Sequence, residues 1–279
     1  MACFSRPLYA LVQISLHNGL YSHIILIPFV SLYLLWTKRT SLPPPSPPNR
    51  KIALGLALLG ALVLAVFWGA TLARIEFSED DRLASQTLSF LLFLTGAGAW
   101  FVGRATLRSA AFPLAFLIFM VPFPSVILTG LETFLQYGSA EAAHFLFKLG
   151  GTTVFYDNLV FRLPGINLQV APECSGIRSS LALFITSLLA GHFFLRTPWK
   201  CAVLSVAVIP LAILRNGFRI FTIGELCVHI SPDMINSYIH RQGGPLFFIL
   251  SLIPFFLLLR LLAKSEHPRK PITNPPLAP

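Results

Sequence analysis

Residues 171–180 read APECSGIRSS, and from Ser180 the chain runs on as SLALFITSLLAGHFFL to Leu195. Glu173, Cys174, Ser175 and Arg178 therefore stand at the mouth of an apolar stretch that, with its lead-in, is long enough to cross a membrane. Upstream, Asn167-Leu168-Gln169-Val170 alternates polar and apolar residues, the period of a strand, and leads straight into Pro172-Glu173-Cys174. The stretch reads as a strand end feeding a helix start, with a thiol at the join. Two readings of that thiol stay open at this level. A cysteine beside an apolar helix is commonly a small buried hydrophobe, or it is a nucleophile held at a membrane surface.

Composition narrows the setting. Of 279 residues, 55% are hydrophobic and 11% charged, with mean hydropathy +0.72. Soluble domains carry about a quarter charged residues, so one polytopic membrane domain is expected rather than two soluble ones. A net charge of +10 would suggest nucleic acid in a soluble chain. In a membrane chain it bears on orientation, because Lys and Arg collect in cytoplasmic loops, and no nucleic-acid partner is expected. Cys3, Cys174, Cys201 and Cys227 are scattered and form no C-x-x-C pair, so neither a disulfide framework nor a metal or other cofactor is expected. The N-terminal MACFSRPLYALVQISLHNG lacks the three-part pattern of a cleaved signal peptide.

Seven apolar stretches are expected to span the bilayer: 19–36, 52–72, 87–103, 110–129, 177–196, 201–222 and 245–262. Basic residues fall on every second connection. Lys38, Arg39, Arg50 and Lys51 flank a proline run, Arg104 and Arg108 follow the third span, Arg196 and Lys200 the fifth, and the tail carries AKSEHPRK. The alternation predicts cytoplasmic placement for 37–51, 104–109, 197–200 and 263–279, and extracytoplasmic placement for the N-terminus, 73–86, 130–176 and 223–244. Within 130–176, LETFLQYGSAEAAHFLFKLG has helical apolar spacing and predicts an amphipathic helix on the membrane. TTVFYDNLVFRLPGINLQV predicts short strands with turns at Asp157-Asn158 and Pro164-Gly165. The fold class expected is thus all-α and polytopic, about seven transmembrane helices with a short extracytoplasmic insertion, β-rich and with an amphipathic helix, before the fifth span. Residues 1–18 are expected to be an extracytoplasmic N-terminus, 19–262 a single transmembrane domain, and 263–279 a cytoplasmic proline-rich tail.

On this topology three reactive residues reach the extracytoplasmic side. Cys174 begins the fifth span. Arg219 lies 18 residues after Cys201, about 27 Å along a helix, with Asn216 on the same face. His240 precedes the seventh span. A thiolate is a strong nucleophile, a histidine passes protons near neutrality, and an arginine offers several donors to a developing oxyanion. Together they suit acyl transfer on a peptide bond. Arg178 lies four residues after Cys174 and would share its face if the helix has begun, supporting a thiolate, while Glu173 opposes that effect or pairs with Arg178 or Arg219. Bland readings stand beside these. Arg219 can snorkel to the headgroups, His192 and His229 are available by type, and Cys174 with Cys227 can form a disulfide in an oxidising compartment. A non-catalytic transporter or an assembly factor for exported polysaccharide is the alternative, although transporters place ionisable groups near mid-membrane.

The motifs resemble one known family. ECSGIRS around Cys174 resembles the nucleophile motif of the exosortase/archaeosortase family, Asn216-Gly217-Phe218-Arg219 its arginine motif, and His240-Arg241-Gln242-Gly243 its histidine motif. YSHIILIPFVSLYLLW (21–36) and FPLAFLIFMVPFP (112–124) are similar to further family segments, so the resemblance runs from about residue 20 to 262. It implies a membrane-embedded transpeptidase of the inner (cytoplasmic) membrane, acting on its outer face. The implied partners are secreted proteins with a C-terminal sorting signal: a short motif (Pro-Glu-Pro in the commonest bacterial type), a transmembrane helix and a basic cluster. Carried over, Cys174 is the nucleophile, Arg219 the transition-state stabiliser and His240 the acid/base. The acyl group would pass through a thioester to an amine or to water. The chain departs from many bacterial members in its short N-terminal portion and in lacking an eighth span, which leaves the subtype and its recognition motif open.

Overall fold

The structure is a computed structural model and describes residues 4–44, 47–237 and 243–266. It is mostly helical, and the chain groups into two compact units, 1–130 and 131–279. Among the described residues, six helical stretches are long and apolar enough to cross a membrane: 19–37, 50–72, 79–101, 172–194, 198–229 and 244–264. A bent pair raises the number to seven.

In the first unit, α1 (Ser5–His17) precedes α2 (Leu26–Thr37), α3 (Arg50–Leu72) and α4 (Glu79–Phe101). Residues 79–86, expected within the connection 73–86, instead begin α4, with Glu79, Asp80 and Asp81 in its first turn. Ser78 caps it in a reciprocal capping box with Asp81, and Glu79, Asp80 and Asp81 complement the positive end of the helix dipole. Helices α3 and α4 meet through small residues. A methyl on Gly96 would lie 3.2 Å from the Ala53 carbonyl, and Ser89 donates to the Gly60 carbonyl at 3.1 Å. Close backbone approach replaces hydrophobic drive in a bilayer. Outward-facing Leu54, Leu58, Leu62, Val66 and Trp68 on α3 are exposed, as lipid-facing side chains should be.

The basic loop 104–109 forms a short helix, α5 (Gly103–Ser109), followed by α6 (Ala111–Phe116) and one 3₁₀ turn, Leu117–Met120. Here the structure corrects the expected fourth span. Residues 110–129 are not one helix. The chain breaks after Met120 and resumes as α7 (Ser125–Gly150), bent by 88°. The physical cause is local: Pro122 and Pro124 remove two backbone donors and push the preceding residues out of helical conformation. Asp81 then caps the new helix, accepting from the Ser125 amide at 2.7 Å and from its hydroxyl at 2.8 Å. The amphipathic helix expected over 131–150 is the continuation of this same α7.

In the second unit, three short strands follow: β1 (Phe155–Asp157), β2 (Val160–Leu163) and β3 (Ile166–Gln169), all antiparallel in the order β1-β2-β3. The expected turn at Pro164-Gly165 is present, with Gly165 at φ +82°. The other turn sits one residue later than expected, on Asn158 and Leu159, both with positive φ (45° and 68°), which suits the right-handed twist of a hairpin. Then come α8 (Ile177–Phe194), α9 (Pro198–His229) and α10 (Gly244–Lys264). Leu183, Leu204, Val208, Phe255 and Leu259 join α8, α9 and α10 in one buried cluster. A second cluster joins α7, the hairpins and α9 through Ala140, Ala143, Phe147, Phe161, Leu168, Val170, Ile220 and Ile223.

Helix α9 runs 32 residues and passes ten residues beyond Arg219. Arg219 thus stands inside a continuous helix rather than at its end, because Ile220, Ile223 and Gly224 have a packed cluster to bury against. Pro210 does not interrupt α9.

Candidate active site

Strand β3 leads into the thiol as the alternation predicts. Ala171 is extended, Pro172–Cys174 form one 3₁₀ turn with proline at its first position, and Gly176 takes the left-handed conformation (φ +76°) that starts α8. The Cys174 amide donates to the Ala171 carbonyl at 2.9 Å and the Ser175 amide to the Pro172 carbonyl at 3.0 Å. Only glycine enters the left-handed region without cost, so Gly176 lets the chain turn sharply from the sheet into the helix and leaves Cys174 on the corner.

Helix α9 grips that corner from the side. The Asn216 amide donates to the Cys174 carbonyl at 2.8 Å. Arg215 Nη2 donates to the Gly176 carbonyl and to the Ser180 hydroxyl, each at 3.2 Å. Arg215 is buried, 7% exposed, and its Nη1 has no hydrogen-bond partner among the described residues; neither has the buried Ser175 hydroxyl. From α7, Gln136 donates to the Val170 carbonyl and ties down the end of the strand. The fit is close: a Cβ on Gly176 would stand 3.0 Å from the Asn216 side chain and 3.1 Å from Arg215 Nη2.

Between β3, the corner and α9 lies a small cavity of about 20 Å³, room for roughly one water. Leu168, Gln169, Val170, Cys174, Asn216, Arg219, Ile220 and Ile223 line it. Three residues singled out from sequence, Cys174, Arg219 and Asn216, are brought together here. Glu173 and Arg178 are not part of the lining, and both are exposed. Helix α8 begins at Ile177, after the left-handed residue, so the spacing of Cys174 and Arg178 is not a shared helix face. His240 lies outside the described residues. Cys174 and Cys227 are both free thiols, and Cys227 is buried in the cluster beneath the hairpins, so the two do not bridge.

Four residues of this corner are not evident as site residues from sequence alone: Arg215, Gly176, Gln136 and Gln169. Arg215 had a signal. An arginine inside the apolar run IPLAILRNG is costly in a membrane and is kept there by function or tight pairing.

A polytopic helical protein with a free cysteine, an asparagine and an arginine meeting in one cleft is the class that fold and site define. The chain belongs to the transmembrane exosortase family: the family model described as "Transmembrane exosortase (Exosortase_EpsH)" matches residues 15–257, most of its length. No curated protein and no solved structure matches it.

Proposed function

We propose that this protein is a cysteine transpeptidase of the inner (cytoplasmic) membrane that cleaves C-terminal sorting signals of secreted proteins at the extracytoplasmic face. One observation carries the reading: Cys174 and Arg219, from segments 45 residues apart, line one cavity, with Asn216 holding the thiol-bearing residue.

In the proposed cycle the Cys174 thiol gives its proton to His240 as the sulfur attacks the scissile carbonyl, forming a C–S bond while the carbonyl π pair moves to oxygen as a tetrahedral oxyanion. Arg219 donates to that oxygen. The C–N bond then breaks as His240 gives a proton to the leaving amine, and the acyl group remains as a thioester. An amine or a water attacks the thioester, His240 takes its proton, and the thiolate leaves. Placement on the outer face rests on the alternation of basic loops. The sorting signal (short motif, transmembrane helix, basic cluster) suits a nucleophile beside the bilayer, because the substrate helix can lie in the same membrane.

The test compares cells making the native chain with cells making Cys174→Ala at equal membrane levels, following secreted proteins that carry such signals. Shortening by the native chain and accumulation of full-length substrate with the variant is the expected result. Unchanged processing would remove the thiol from the chemistry.

A second reading, a non-catalytic transporter or assembly factor, draws on the 88° break between Met120 and Ser125, since broken helices are a transporter feature. It predicts that Cys174→Ala leaves export intact and processing absent in both strains.

A further inference from the structure

Strand β3 is the end of its sheet, paired only with β2 among the described residues. Its register shows which peptide groups remain available. The Val170 amide donates to the Leu159 carbonyl at 2.9 Å. In an antiparallel pair the bonded positions alternate, so Phe161 with Leu168 and Leu163 with Ile166 are the hydrogen-bonded pairs. Arg162 with Asn167 and Val160 with Gln169 are the others. The peptide N–H and C=O of Asn167 and Gln169 therefore turn away from β2, toward the open edge, and both residues are exposed.

The cavity lies at the end of strand β3. Leu168, Gln169 and Val170 are consecutive, and all three border it. Leu168, Val170, Ile220 and Ile223 also belong to the buried cluster, so the space lies where the covered face of the sheet meets α9, next to the thiol-bearing corner, while Asn167 and Gln169 stay exposed along the open edge. The same space holds Cys174, five residues beyond Gln169, and Arg219 opposite.

We infer that the open edge of β3 receives the substrate as an added strand, with Asn167 and Gln169 supplying backbone hydrogen bonds to the extended segment beside the scissile bond. This rests on the peptidase reading above and goes beyond it by naming how the chain is held. Main-chain pairing gives affinity and direction without demanding particular side chains. It also places the bond to be cut: the guest strand runs alongside β3 and reaches the corner where β3 turns into Cys174. The cavity is too small for a side chain of any bulk, so it suits the scissile carbonyl, with Arg219 on the side away from the strand.

Two experiments test this. Asn167→Pro deletes one edge-facing N–H while leaving the β2–β3 ladder intact, since prolines are tolerated on edge strands. Alkylation of Cys174 by iodoacetamide at the native rate marks the corner as folded. The expected result is a fall of about tenfold or more in kcat/KM toward a reporter whose shortening depends on Cys174. Native kcat/KM for Asn167→Pro overturns the proposal.

The second experiment leaves the enzyme untouched, and so decides the matter if the variant does not fold. Peptides carrying the reporter's signal are given a backbone N-methyl group at one residue after another beside the cleavage point. Pairing with one edge uses every second amide of the guest strand, so processing must rise and fall with a two-residue period. A profile without that alternation overturns the proposal even while Cys174→Ala abolishes processing, which separates its failure from failure of the peptidase reading.

Discussion

The side-chain amide of Asn216 donates to the carbonyl of Cys174 at 2.8 Å, so the residue bearing the thiol is held from a neighbouring helix 42 residues along the chain. Side chains of Arg215 and Asn216 clasp two successive parts of the same corner, the Cys174 and Gly176 carbonyls. The apolar backing comes from the cluster that packs against Cys174.

Replacing Asn216 by Ala strands the Cys174 carbonyl without its donor. Leaving a buried polar group unsatisfied costs about 1–3 kcal/mol, and a displaced nucleophile loses its alignment for attack. Processing should fall roughly tenfold to a hundredfold, with the protein still present in the membrane. Asn216→Asp keeps the shape but not the donor and should fail similarly. Reporter shortening, normalised to membrane level, measures both. Native activity in both variants would mean that the bond does not position the thiol.

Gly176→Ala puts a Cβ at φ +76°, 3.0 Å from Asn216 and 3.1 Å from Arg215 Nη2. Left-handed strain costs on the order of 1–3 kcal/mol, and the crowded atoms belong to the two side chains that hold the corner. Activity should drop more steeply than thermal stability in detergent. Equal activity with equal stability would contradict a role for this turn.

Arg219→Lys keeps a charge and loses the planar fork of donors. If Arg219 receives the oxyanion, kcat should fall about a hundredfold or more, with KM little changed, because such a donor acts chiefly in the transition state. Initial rates across substrate concentrations separate the two constants. A change confined to KM would recast Arg219 as a substrate-binding residue.

Gly224→Ala places a methyl 2.4 Å from Phe147 Cζ, and Gly217→Ala one 2.6 Å from Ala142 Cβ. Both glycines let α9 lie close against α7, and overpacking of this kind costs about 1–3 kcal/mol. Steady-state membrane levels of both variants should fall, Gly217→Ala the more so, because its methyl also meets the Ser139 carbonyl at 3.0 Å. Immunoblots of membrane fractions and melting in detergent report it.

Maleimide labelling of intact protein without reductant should modify Cys174, which is partly exposed, much faster than Cys227, which is 2% exposed. Cys227→Ser should keep processing near native. Failure of Cys174 to label until reductant is added would restore the disulfide alternative.

Much of the architecture is legible in the order of residues. Spans at 50–72 and 244–264 follow from runs of apolar side chains that have no favourable place outside a bilayer or a core. The strand before Cys174 is legible because alternation at Asn167 to Val170 has only one regular structure that uses it. The break at 121–124 is harder to see: hydropathy averages across two prolines that still leave the whole stretch apolar. The start of α4 is hidden for the opposite reason, since an acidic segment looks like a loop until Ser78 and Asp81 are recognised as a cap.

The site divides in the same way. Cys174, Asn216 and Arg219 are legible as motif residues. Arg215 is overshadowed by its neighbours in the motif, although its place in an apolar run marks it.

By itself, then, the sequence determines that this chain lives in a membrane, roughly where it crosses, and which thiol and guanidinium deserve notice, because hydropathy and local pattern are properties of short stretches. Only the tertiary structure decides that α9 continues ten residues past Arg219, that Arg215 and Asn216 close on the corner at Cys174, and that the end of β3 borders the cavity that Cys174 and Arg219 share. Those facts depend on how closely α9 approaches β3 and α7, and that distance is set by glycines and by packing between residues tens of positions apart.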